Sequence, residues 1–227
     1  MHFDILVEDA SGQKALNILV PRIIGADHTY AIHAYKGLGH IPGNLKGKTD
    51  PRKRILLDRL PKLLQAYGNT HAHYPHDYQA AVVVVCDLDD KCLKAFRLEL
   101  LALLERCNPK PTAVFCFAVE EGEAWFLGDI PAVAAAYPKV KLSLLSDYVN
   151  DAVGRTWDRL ADALVLGGSR VLSAKGWYAV GEQKILWAQR IAPHMDIERN
   201  ASPSFRYFRD KLRSLLPSRS TAPSSPE

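Results

Sequence analysis

The stretch 80–86, AAVVVVC, runs straight into Asp87-Leu88-Asp89-Asp90, and its reading decides the fold. An unbroken Val run is buried on both faces, as in the middle of a parallel sheet. Two other apolar runs end the same way. Phe3-Asp4-Ile5-Leu6-Val7 ends in Glu8-Asp9, and 112–119, TAVFCFAV, ends in Glu120-Glu121-Gly122-Glu123. In an open parallel sheet, ligands bind beyond the carboxyl ends of the strands. Three segments therefore deliver carboxylates to one sheet edge. Crowded carboxylates repel unless a cation neutralises them, and hard oxygen donors suit Mg²⁺ or Mn²⁺. The pattern predicts a divalent-metal site used for chemistry on phosphates.

Outward from these runs the pattern alternates strand and helix. Strands are expected at 3–7, 29–34, 80–86 and 112–119. Helices are expected at 13–24 with Ser11 as N-cap, at 51–67 with Pro51 in the first turn, and at 93–107. This rhythm predicts an α/β fold, a parallel sheet with helices on both faces. After residue 130 only short helical patches follow, at 133–137, 156–165, 181–192 and 205–216. The expected organisation is a core over 1–130, a helical part over 131–216 packed on it and bordering the same crevice, and a disordered Ser/Pro-rich tail over 217–227.

Composition is that of a globular protein, with 48% hydrophobic and 24% charged residues in a chain of 227 and a net charge of +4. The mildly basic balance is compatible with nucleic acid without requiring it. No apolar stretch is long enough to cross a membrane, and the chain enters its first strand with no signal peptide. The four cysteines form no CxxC pair and read as free thiols in a reducing cytoplasm. There is no Walker A motif, and Gly37-x-Gly39 lacks the third glycine of a dinucleotide fingerprint.

Asp87 and Asp89, two apart at a strand end, point to one side if the extended backbone persists. Asp89 or Asp90 is also a natural N-cap for the helix that follows. Glu121 and Glu123 share a side only in extended chain or a tight turn; on a helix, Glu120 and Glu123 are the neighbours. His71, His73 and His76 sit in a polar stretch without cysteine partners and read weakly as zinc ligands. Lys36, Lys46, Lys48, Arg52, Lys53 and Arg54 form a glycine-rich basic band suited either to phosphate contact or to solvent. The aromatic and basic segment from Phe205 to Arg213 reads mainly as a helix packing its Phe and Leu face.

The order of Glu8 after strand one and Asp87-x-Asp89 after a later Val-rich strand resembles the Toprim domain of topoisomerases, primases and OLD-type nucleases. Further motifs resemble an uncharacterised bacterial family of Toprim-like proteins: Val7-Glu8-Asp9-Ala10-Ser11, Glu121-Gly122-Glu123-Ala124-Trp125, and Lys184 with Ile191-Ala192-Pro193-His194-Met195-Asp196. Ser202-Pro203-Ser204-Phe205 with Phe208-Arg209 completes the set. The resemblance spans residues 5 to 213. It implies a Mg²⁺- or Mn²⁺-dependent nuclease in which Glu8, Asp87 and Asp89 hold one ion and Glu121 or Glu123 helps a second. Lys184 then stabilises the transition state; the plain alternative is a solvated helix lysine. Nucleic acid, DNA ahead of RNA, is the implied substrate, and AAA- or ABC-type ATPases in phage-defence or mobile-element settings are the implied partners. One departure stands out. OLD-type nucleases carry a second acid four residues after the first, where this chain has Gly12. That favours an alternative, a non-catalytic regulatory subunit of an ATPase complex. His194 and Asp196 are expected to serve a structural turn set by Pro193.

Overall fold

The computed structural model describes residues 1–42 and 52–217. Four strands, β1 (His2–Val7), β2 (Thr29–Ala34), β3 (Ala80–Asp87) and β4 (Ala113–Ala118), form one parallel sheet in the order β2-β1-β3-β4. The expected α/β class and the expected strand runs are therefore present. Period-two alternation sorts each strand between two cores. Phe3, Ile5, Val7, Ala81, Val83, Val85, Cys116 and Ala118 face one side. Leu6, Val82, Val84, Cys86, Phe115 and Phe117 face the other. Both faces are apolar, as the Val run requires.

The second face is covered by α2 (Leu56–His71) and α3 (Leu93–Glu105). The first is covered by α1 (Ala10–Ile24) together with the later helices. These are α4 (Glu123–Leu127), α5 (Ile130–Ala136), α6 (Thr156–Leu164), α7 (Gly168–Ala174), α8 (Trp177–Ile191) and α9 (Pro203–Ser214). Trp187 of α8 and Phe205 and Phe208 of α9 are fully buried there. Arg22 ties α1 to the turn after α8 by donating to the carbonyls of Ala192 and Met195, at 3.2 and 2.5 Å.

Several boundaries differ from expectation. The N-cap of α1 is Asp9, not Ser11; its Oδ1 accepts from the Gly12 N–H, and Ser11 inside the helix donates to its Oδ2. α3 starts after Cys92 with no side-chain cap, and neither Asp89 nor Asp90 stands at its N-cap position. Pro51 and Lys46 and Lys48 of the basic band lie outside the described residues, as does all of the expected tail beyond 217. α9 uses its apolar face as expected: Phe205, Phe208 and Leu212 are buried, while Arg209 and Arg213 pair with Glu198. Among the described residues no helix is long and apolar enough to cross a membrane.

Candidate functional site

The strand order places the site. The chain leaves β1 through α1 over one face toward β2, and leaves β3 through α3 over the other face toward β4. The two connections diverge at the adjacent ends of β1 and β3, and such a switch point opens a crevice. Glu8 follows β1 and Asp87 ends β3 at this point. Glu8 Oε2 accepts from the Asp87 N–H at 3.2 Å. The crevice is lined by Glu8, Asp9, Gly12, Asp87, Glu123 and Lys184 over an apolar floor that includes Val85 and Phe126. It encloses about 40 Å³ for water-sized occupants, room for about three waters but not for a nucleotide.

The segment after β4 makes a tight turn. Glu120 has a left-handed backbone (φ 62°), and the Glu121 N–H donates to Val119 O. This turn brings Glu121 and Glu123 to the same side. Lys184 Nζ lies 2.8 Å from Glu121 Oε2 and 3.1 Å from Glu123 Oε2. Glu120 goes elsewhere, accepting from the Thr156 N–H and Oγ1 at the start of α6. Lys184 is thus no solvated helix lysine: its side chain is 18% exposed.

Asp89 departs from the expected geometry. The strand ends at Asp87, Asp89 adopts φ 49°, and its carboxylate pairs with Lys91 at 3.1 Å. The extended backbone that would align Asp87 with Asp89 does not persist. Asp89 stays near enough for its charge to act on Glu8.

Electrostatics sets this crevice apart. Burial pushes the Glu8 carboxyl up to about 7, with the charges of Asp89 and Asp9 adding and the Asp87 N–H opposing. Burial, then the Glu8 charge, holds Asp87 well above the usual carboxylate range, against the pull of Lys184. Glu121 is raised to about 7 by burial in spite of Lys184. For Lys184 burial works downward, but Glu123, Glu121 and Asp87 together override it and hold the ammonium above its ordinary value. Three carboxylates, Glu121, Glu123 and Asp87, share Lys184, while Glu8 feels Lys91, and clustered shifts of this kind mark functional sites. Among the described residues no three His, Cys, Asp or Glu side chains stand, as placed, ready to hold a metal ion. The donor set nonetheless fits a hard divalent cation, being carboxylate oxygens in excess of the single ammonium.

Gly12 explains its own identity. A Cβ there would stand 2.6 Å from Val7 Cγ2 and 3.1 Å from Asp9 Oδ1. No acid fits at this position without moving buried Val7. Gly12→Ala is expected to cost about 1–2 kcal/mol by overpacking, net of roughly 1 kcal/mol gained in helix propensity. Thermal unfolding checks this, and an unchanged or raised Tm would contradict it.

The remaining expected residues have structural places. Asp196 Oδ1 accepts from the N–H groups of Glu198 and Arg199, and His194 ends a 3-10 turn holding Pro193. Trp125 donates from Nε1 to Ser204 Oγ and stacks on Phe208 at 5.0 Å, so two of the quoted motifs pack on each other. The basic band begins beside the site: the Gly37 N–H donates to Glu8 O, and Arg54 donates to Ala34 O. Sequence reading missed Asp129, whose Oδ2 accepts the Asp196 N–H and whose Oδ1 caps α5. A D-I-P sequence, an N-cap followed by proline, was the signal available.

Fold and site together define an open parallel α/β protein with a carboxylate-lined switch-point crevice. The chain belongs to the family described as a domain of unknown function, DUF4276, whose model matches residues 7–213. No curated protein and no solved structure matches the chain.

Proposed function

We propose that the protein is a divalent-metal-dependent phosphodiesterase of the Toprim type that cleaves nucleic acid, DNA ahead of RNA. The observation that carries this reading is the convergence of Asp87, Glu121 and Glu123 around Lys184, with Glu8 bonded to the Asp87 N–H, from three strand ends. Glu8 and Asp87 would hold Mg²⁺ or Mn²⁺, with Glu121 and Glu123 beside them and Asp89 joining by releasing Lys91. The bound ion would supply Lewis-acid activation of a phosphate oxygen and a water. Lys184, anchored by Glu121 and Glu123, offers its ammonium to the charge that develops on the phosphate. The apolar floor limits water around these groups and strengthens their fields. Lys36 and Arg54, next to Glu8 along the chain's path, suit the flanking phosphates.

A second reading keeps the metal and drops the catalysis: a regulatory subunit acting through an AAA- or ABC-type ATPase in a defence system. Two observations favour it. Gly12 has no room for an acid, and Trp177, Tyr178 and Leu166 are 79, 81 and 93% exposed, apolar surface suited to a partner. Cleavage of labelled DNA by the isolated chain at many turnovers per molecule decides for the enzyme. Metal binding without turnover decides for the subunit.

A pH test probes the carboxylates apart from activity. Folded Glu8 keeps its proton up to about 7, whereas the ordinary value is 4.5. The native state therefore binds more protons in that window, and Glu8 lowers stability as pH rises through it. In the metal-free state, Glu8→Gln is expected to gain Tm relative to the native chain between pH 5 and 8. Mn²⁺ at pH 8 is expected to raise the Tm of the native chain and not that of Glu8→Gln. A pH-independent Tm difference between the two would contradict this assignment.

A further inference from the structure

Along β1 and its edge neighbour β2, on the face that α2 covers, one buried carboxylate is surrounded by three imidazoles. Asp4 is 8% exposed. The Nε2 atoms of His2, His33 and His71 lie 3.8, 3.5 and 3.6 Å from its carboxylate oxygens. The strands bring these residues together in an orderly way. His2 and Asp4 share one face of β1, and His33 lies on the same face of β2, opposite Leu6. Ala31, opposite Asp4, is small, so His33 can reach diagonally back. His71 arrives from the last turn of α2, the helix that covers this face.

These contacts leave His71 unsatisfied, while Asp4 also bonds to the Tyr67 hydroxyl. All three distances exceed the range of a good hydrogen bond, roughly 2.7–3.2 Å. Both ring nitrogens of His71 are buried without a hydrogen-bond partner, and its side chain is only 10% exposed. Buried polar atoms left in this state are costly. His2 Nδ1 is 2.7 Å from Thr29 Oγ1. In the tautomer that donates to Thr29, Nε2 carries its lone pair toward Asp4, the outer hydrogen bond that orients a metal-binding histidine. Of the three histidines singled out in the sequence, only His71 takes part; His73 Nδ1 pairs with Asn69 O.

We propose that Asp4, His2, His33 and His71 form a second metal site, for a zinc-type transition ion. Three imidazole nitrogens and one carboxylate are a donor set for Zn²⁺ and not for Mg²⁺. Ligand atoms about 2.0–2.1 Å from a tetrahedral zinc stand roughly 3.3 Å apart, and the Asp4–histidine separations, 3.5 to 3.8 Å, are slightly longer. No three of these side chains converge on one point without the ion; an ion would draw them together, with His33, 46% exposed at the sheet edge, the freest to move. With four protein donors the site is structural: it fastens edge strand β2 and the end of α2 to β1.

The test is zinc retention after dialysis of metal-free protein against Zn²⁺, with Co²⁺ absorption as the probe of geometry. The native chain and Asp87→Asn, whose substitution lies in the other site, are both expected to retain one equivalent. His33→Ala and His71→Ala are expected to bind at least about tenfold more weakly. Substituting half-exposed His33 leaves the core untouched, so that variant is expected to keep the native circular dichroism. Co²⁺ is expected to give tetrahedral d–d bands in the native chain that are lost in His33→Ala. Failure of the native chain to retain zinc, or equal affinity in native and His33→Ala, overturns the proposal. So does zinc binding that Asp87→Asn abolishes and His33→Ala keeps.

Discussion

Lys184→Met is expected to destabilise the protein by about 3 kcal/mol at pH 8, and by much less at pH 5. In a chain of this size that corresponds to roughly 6–12 °C in Tm at the higher pH. Lys184 is held above its ordinary value, so its own charge is present throughout this range and is lost only in strong alkali. The pH dependence comes from its partners. Glu121, raised to about 7, is largely protonated at pH 5 and asks little of the lysine there. At pH 8 it is ionised beside Glu123, whose side chain is only 3% exposed, and the ammonium is what makes that charge tolerable. Removing one partner of a buried pair leaves the other uncompensated. Thermal unfolding of both proteins at both pH values checks this. An equal loss at pH 5 and pH 8 would show that Lys184 contributes by packing alone.

Asp87→Asn is expected to act in opposite directions on stability and on function. The carboxyl sits among Glu8, Glu123 and Asp9 and is held well above its usual range by burial and by their charges. A neutral amide of the same shape removes this repulsion, so the metal-free variant is expected to match or exceed the native Tm. On the proposed function, cleavage is expected to fall roughly 10³-fold, about 4 kcal/mol of barrier, because a central donor to the ion would be gone. A site that lowers stability for the sake of its chemistry is a known trade. A variant that loses both Tm and activity would instead mark Asp87 as part of the scaffold.

Much of this was legible in the sequence where one local signal sufficed. The Val run 80–86 and the alternation at 29–34 gave strands near their observed limits, because β-branched runs bounded by turn residues have few other uses. Lys184 and Glu121 were legible as candidates, but not their contact, which depends on α8 crossing the end of β4. Other features were hidden for physical reasons. Asp89 turns away because a left-handed residue ends the extended run, and no residue type announces that conformation in an aspartate. α4 shows no helical period because Glu123 through Leu127 are all buried. The start of α8 was missed because Trp177 and Tyr178 are exposed, which breaks the amphipathic pattern, and because Gly181 interrupts it. The histidines around Asp4 lie far apart in the chain, and only the pairing of β1 with β2 and the packing of α2 unite them.

The crevice at the ends of β1 and β3 is proposed to bind a divalent ion and cut phosphodiesters. Nicking of supercoiled plasmid by the purified chain in Mn²⁺, with Asp87→Asn beside it, tests this most directly. The native chain is expected to convert the plasmid to the open circle, with no conversion when EDTA is present and almost none by Asp87→Asn. Equal nicking by the native chain and Asp87→Asn, or nicking that persists in EDTA, would contradict it.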